Sequence, residues 1–206
     1  MMGMTKFRIG MRLGIGFGLA AVLTLAVAAL AWVEIGSIKQ SMDSGIDQAW
    51  KLRTAQQVYL AVNKVYLNTS RILAQKEMEK KQEAKAVIEK QREIYKKGLE
   101  ELRVNALTDT ARQLLAKIDG AITVAREANN RALALSAAGK DAEGMAVYLQ
   151  DSVVAEKKLD EAMEALLSWR EKRLTDMDKA AADEINRVHW LLIAGTLVLI
   201  LAKQGY

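Results

Sequence analysis

The chain has 206 residues, 51% of them apolar, with no proline, no cysteine and a single histidine. Average usage would place about ten prolines in this length, so their absence predicts long uninterrupted helices. The absence of cysteine excludes disulfides, thiolate metal sites and cysteine nucleophiles, and one histidine excludes a histidine-rich metal cage. The formal net charge of +5 would suit a nucleic-acid binder only if it were gathered on one face of a folded domain.

In chain order, residues 1–12 carry Lys6, Arg8 and Arg12, and an uncharged run, LGIGFGLAAVLTLAVAALAWV, then extends from Leu13 to Val33. As a helix rising about 1.5 Å per residue, that run covers roughly 30 Å, the hydrocarbon thickness of a bilayer. It is longer than the apolar region of a cleavable signal peptide, usually about 7–15 residues. Residues 13–35 therefore read as a transmembrane helix. Positive charge is retained inside, so Lys6, Arg8 and Arg12 set the topology and place residues 1–12 in the cytoplasm.

Residues 36–187 are rich in Ala, Leu, Glu, Lys, Gln and Arg, all strong helix formers. Their apolar residues recur at alternating steps of three and four. One seam reads Ala55, Val58, Val62, Val65, Thr69, Ile72. Another reads Leu107, Ala111, Leu114, Ile118, Ala121, Ala125, Ala128, Ala132, Leu135. A third reads Met145, Leu149, Ser152, Glu156, Leu159, Met163, Leu166. These are seams of packed helices, and no alternating strand pattern of useful length interrupts them. The seam lapses into charge between Gln75 and Glu79, Thr108 is placed to cap the helix that follows, and Ala138-Gly139-Lys140-Asp141 joins a glycine C-cap to an aspartate N-cap. Four helices follow, at 36–75, 77–104, 108–138 and 141–187.

A second apolar run, VHWLLIAGTLVLILA, begins at Val188. Residues 188–206 read as a second transmembrane helix that the chain does not complete. Trp32 and Trp190 fall at the outer ends of the two runs, where interfacial tryptophans are enriched. Lys6, Arg8, Arg12 and Lys203 supply four of the five net positive charges, all on the cytoplasmic flanks. No basic face is left for phosphates, and nucleic-acid binding is excluded. The fold class is all-α: an antiparallel up-down-up-down four-helix bundle continuous with two transmembrane helices.

Lys6-Phe7-Arg8-Ile9-Gly10-Met11-Arg12-Leu13, followed by Gly16-Phe17-Gly18, resembles the opening of bacterial methyl-accepting chemotaxis proteins. Leu107-Thr108-Asp109 looks like the start of that family's third bundle helix. Ala138 to Glu143 resembles its A-G-D turn, with Lys140 inserted before the aspartate. The resemblance implies a homodimeric receptor in the bacterial inner membrane, with its sensor bundle periplasmic or extracellular. It implies a small-molecule ligand in the membrane-distal half and a piston-like or rotational shift of the fourth helix. Family members continue into an output module, which this chain lacks. The same sensor also precedes kinases and cyclases in some proteins.

At equal distances from the distal turns, the antiparallel helices bring a polar group to one height. It comprises Tyr59, Asn63, Lys64 and Tyr66 on the first helix, Arg126, Asn129 and Asn130 on the third, and Asp151, Ser152 and Glu156 on the fourth. Ser152 and Glu156 stand on the seam itself, where the fourth helix elsewhere places Leu and Met. Arg126 and Lys64 would favour a carboxylate, such as an organic or amino acid, through charge-assisted hydrogen bonds. A di-iron bundle enzyme would need Glu-x-x-His on two helices, and the only histidine, His189, has Asn186 three positions before it. The reading is therefore non-enzymatic, with no metal and no cofactor. The competing reading is a membrane-anchored bundle that binds a periplasmic partner protein.

Overall fold

The computed structural model of the chain describes residues 9–204. Its elements are α1 (Ile9–Ala74), α2 (Met78–Val104), α3 (Asp109–Ala137), α4 (Asp141–Val147) and α5 (Val153–Gln204), with one wide π-helical turn, Tyr148–Ser152, between α4 and α5. No strand occurs among the described residues. The chain divides into two compact units, one running from Asp47 to Leu174, the other built from the residues before and after it.

Within the first unit the helices pack antiparallel. From Arg92–Asn130 to Arg103–Asp119, contacts between α2 and α3 climb one helix as they descend the other. The same holds from Gln48–Arg170 to Tyr59–Asp160 for α1 and α5. Ala55, Val58, Val62, Val65, Thr69 and Ile72 are all buried, as their spacing predicts. They meet Ile88 and Leu99 of α2, Leu115 and Ile118 of α3, and Leu159, Met163 and Leu166 of α5. Each large aliphatic chain taken from water in this way contributes about 1.5–3 kcal/mol before the cost of ordering it.

The turns have physical origins that the sequence announces. Thr108 caps α3, its hydroxyl accepting from the Ala111 amide at 3.3 Å. Gly139 adopts a left-handed conformation at φ +73 just beyond the end of α3. The amide of Lys140 then reaches back to the Leu135 carbonyl, and that of Gly139 to Ser136, which closes the helix end. The following cap differs from the sequence expectation. Lys140 holds the N-cap position, and Asp141 lies inside the first turn. Its carboxylate accepts instead from Lys81 and Ser136, which ties α2, α3 and α4 together at the distal end.

Two seam positions also differ. Leu107 is exposed because it lies in the non-helical connection, and Ala106 is buried in its place. Leu149 is exposed, while Tyr148 is buried. The reason is the π-helical turn, in which the Val153 amide donates to the Tyr148 carbonyl five residues back. On an α-helix, steps of four overshoot a full turn by about 40° each. The wider turn absorbs that excess and keeps Gly144, Tyr148 and Ser152 on one buried face.

In the second unit, the hydroxyls of Ser37 and Ser41 donate to the Glu184 carboxylate. Gly195 lies against Val27, which a Cβ on the glycine would meet at 3.4 Å. Large apolar side chains face outward here, among them Leu25, Trp32 (81% exposed), Trp190 and Leu192. Among the described residues no helix is long and apolar enough to cross a membrane. Part of both apolar runs lies outside the described side chains. Of the cations expected to set the topology, Lys6 and Arg8 lie outside the described residues, and Arg12 falls within α1.

Candidate functional site

Midway along the bundle of residues 47–174 lies a cavity of about 20 Å³, room for roughly one water-sized group. Its apolar walls include Val62, Val65, Ile122 and Leu159, and its polar walls are Tyr66, Arg92, Tyr95, Arg126 and Asn129. Three buried polar atoms here have no partner: the Tyr66 hydroxyl, Asn129 Oδ1 and Arg92 Nε. Buried polar groups are ordinarily hydrogen-bonded, and leaving one unpaired costs about 1–3 kcal/mol. Three orphans beside one void make a polar recess rather than a packing fault.

The helices place these groups by regular periodicity. On α2, Ile88, Gln91, Tyr95 and Leu99 form the buried face, and Arg92 stands at its edge. Its guanidinium reaches Asn130 Oδ1 of α3 at 2.6 Å and Glu89 at 3.3 Å. Burial raises the Tyr95 phenol pKa, and nearby Arg92 and Arg126 oppose that rise. Two cations from adjacent helices thus line the same cavity as Tyr95.

The α5 side carries the opposite charge. Burial first, and then the neighbouring Asp160 carboxylate, push Glu156 up to about 7. Asp160 is also raised by burial, partly offset by the Tyr59 hydroxyl that donates to it. Tyr66 is raised strongly, through burial and then the Glu156 and Asp160 charges. Ser152, at the end of the π-helical turn, is fully buried with its hydroxyl unpartnered.

The structure therefore brings together much of the group expected from sequence. Tyr66, Arg126 and Asn129 line the cavity, and Asn130 joins through Arg92. Tyr59 and Asn63 lie together beside Asp160. Glu156 acts on both Tyr66 and Tyr148. Lys64 is exposed, away from the recess, and Asp151 faces outward to pair with Arg131 at 2.9 Å. Arg92, Tyr95 and Asp160 are additional members. Tyr95 is the only aromatic residue on α2, and Arg92 lies near the same distance from the distal turn as Tyr59, so the height argument extended to α2 would reach both.

With this geometry in view, the chain can be compared with known proteins. Residues 6–184 match the family described as a four helix bundle sensory module for signal transduction. The chain belongs to that family. No curated protein and no solved structure matches it. For this sensory module, the match covers all of α1, α2, α3 and α4, and most of α5.

Proposed function

We propose that this sensory module is the input region of a bacterial membrane chemoreceptor and binds a small carboxylate in the recess of its bundle. The observation that carries the reading is the cavity with three orphaned polar atoms, flanked by the Arg92 and Arg126 guanidiniums. Paired guanidiniums suit a planar carboxylate, with the tyrosines as an apolar wall bearing hydroxyls.

The small volume links binding to signalling. A ligand larger than one water enters only if the helices move apart, so occupancy favours a bundle state with displaced helices. In this reading α5 carries the displacement toward residues 188–204, which form the second membrane helix, while residues 13–35 form the first. The outward Trp32 and Trp190 support interfacial anchoring at both. The module is periplasmic or extracellular, works as a homodimer, and binds rather than catalyses. Its output is chemotactic, with a kinase or cyclase as the alternative.

Calorimetric titration of the full chain with acetate, malate and benzoate tests the proposal. At least one should bind saturably, and Arg126→Ala and Arg92→Gln should each weaken that binding about tenfold or more. Equal affinity in both variants would remove the guanidiniums from the site.

A further inference from the structure

Gln48 precedes Tyr66 on α1 by roughly 27 Å of helix, well away from the recess. At this end of the unit from Asp47 to Leu174 two cations are buried, Lys51 at 4% exposure and Arg170 at 2%. Short contacts tie them into one cluster across α1 and α5. Lys51 Nζ reaches Asp47 Oδ2 at 2.5 Å, and Gln48 Nε2 donates to the same oxygen at 3.3 Å. The other end of that amide, Gln48 Oε1, accepts from Arg170 Nη1 at 3.2 Å. The Trp169 ring gathers two guanidiniums, Arg170 at 4.7 Å from its centroid and Arg173 at 5.6 Å.

Arg170 leaves its most specific edge unused. Its Nε and Nη2 are both buried, and neither has a partner. These two nitrogens point their N–H bonds the same way, forming the side of a guanidinium that grips an oxyanion with two parallel hydrogen bonds. Arg103 shows that grip within this bundle. Its Nε and Nη2 donate to the two carboxylate oxygens of Asp119 at 3.1 and 2.5 Å. No carboxylate among the described residues meets the same edge of Arg170.

Asp47 cannot serve that edge without opening a new deficit. It is the single acid among the groups that act on Arg170, and it is already paired with Lys51. Turned toward Arg170, it would leave Lys51 buried without a counter-charge, which is costly. One acid thus answers two buried cations, with Arg173 as a third positive charge beside them. Burial, and then the Arg173 charge, lower the Arg170 pKa, as an excess of positive charge requires. We propose that the Nε–Nη2 edge of Arg170, with Lys51 and Arg173 as neighbouring charges, is a site for a small divalent oxyanion of the sulfate or phosphate class. Three cations against one acid favour a dianion over a monocarboxylate. The edge is closed to solvent in this state, so the anion enters as the half-buried Trp169 ring gives way. The site stands apart from the recess and does not depend on it.

Calorimetric titration of the full chain in detergent with sodium sulfate and sodium phosphate, against sodium chloride at equal ionic strength, tests this. At least one dianion should bind saturably, whereas a general salt effect on the protein surface does not saturate. Arg170→Lys keeps the charge but loses the paired edge, and should weaken binding about tenfold or more. Asp47→Asn removes the one acid and should tighten binding severalfold, a gain that lost packing cannot mimic. Circular-dichroism melts of both variants check that the bundle is intact. Arg92→Gln should leave dianion binding unchanged while it weakens carboxylate binding, so each site can fail alone. Heats no larger than those of sodium chloride, or an affinity unmoved by both Arg170→Lys and Asp47→Asn, would overturn the proposal. Loss of dianion binding in Arg92→Gln would place the anion in the recess and overturn it equally.

Discussion

Glu156 shows how one half-buried carboxyl can disfavour the fold as it ionises. Its carboxyl is raised in the folded bundle to about 7, from 4.5. For an acid with a raised pKa, the favourable contribution is complete below the unfolded value and disappears as pH climbs through the folded one. The bundle should therefore be more stable at pH 5 than at pH 8. A tenfold change in proton affinity corresponds to about 1.4 kcal/mol, and water at the exposed edge of the group reduces the total to about 1–2 kcal/mol. Thermal midpoints of wild type and Glu156→Gln at the two pH values check this. The variant should lose most of the pH dependence and gain stability at pH 8. An equal dependence in both proteins would assign the effect to other groups.

At the scale of the element, the seams, the turns and the helix count were legible because each follows from local periodicity and cap chemistry. The three internal boundaries, expected at 75/77, 104/108 and 138/141, match the observed ones within a few residues, because Thr108 and Gly139 do what their types favour, whereas α1 and α5 run unbroken past residues 36 and 187. The register change at Tyr148–Ser152 was not legible. Steps of three and four, carried across a segment that widens to a π turn, put Leu149 inside where Tyr148 belongs. The cause is tertiary. Gly144 approaches α3 so closely that a Cβ there would lie 2.8 Å from the Ala132 carbonyl oxygen and 3.0 Å from Leu73. Gly144→Ala should cost about 1–3 kcal/mol, because the obstacle is backbone and cannot rotate aside. Gly139→Ala should cost about 1–2 kcal/mol through its left-handed conformation, with open space around the added methyl. Urea unfolding of the two variants separates the mechanisms. A combined loss equal to the sum of the single losses would show that turn and packing act independently. The recess was legible in part for a similar reason: height along antiparallel helices follows from counting. Which residue leans into a void, as Arg92 does and Lys64 does not, depends on helix rotation.

Across the whole molecule, placement of charge carries the functional argument. From Gln48 to Ala74, α1 has no acidic residue, and its outer face sets Leu60 and Leu67 beside Lys64 and Arg71. Two copies meeting on this face would bury leucines one heptad apart against a like-charge penalty. Dimerisation through α1 should therefore strengthen as salt screens the cations, the reverse of an ion-paired interface. The chain contains no cysteine, so any one introduced is unique. Leu60→Cys should form an intermolecular disulfide, with a yield that rises between low and moderate salt. Absence of cross-linking would exclude α1 from the interface. The same freedom from background thiols tests the orientation. Lys6, Arg8 and Arg12 precede the first apolar run, whereas Glu34, Lys39, Asp43 and Asp47 follow it with mixed sign. If the cationic flank is retained inside, the proposed topology puts the bundle outside. In intact cells, a maleimide that cannot cross the membrane should label Asp43→Cys and spare Lys6→Cys until the membrane is opened. The opposite pattern would invert the topology and place the recess, with both of its charged walls, on the cytoplasmic side. Equal labelling of both positions would show that residues 13–35 do not cross at all.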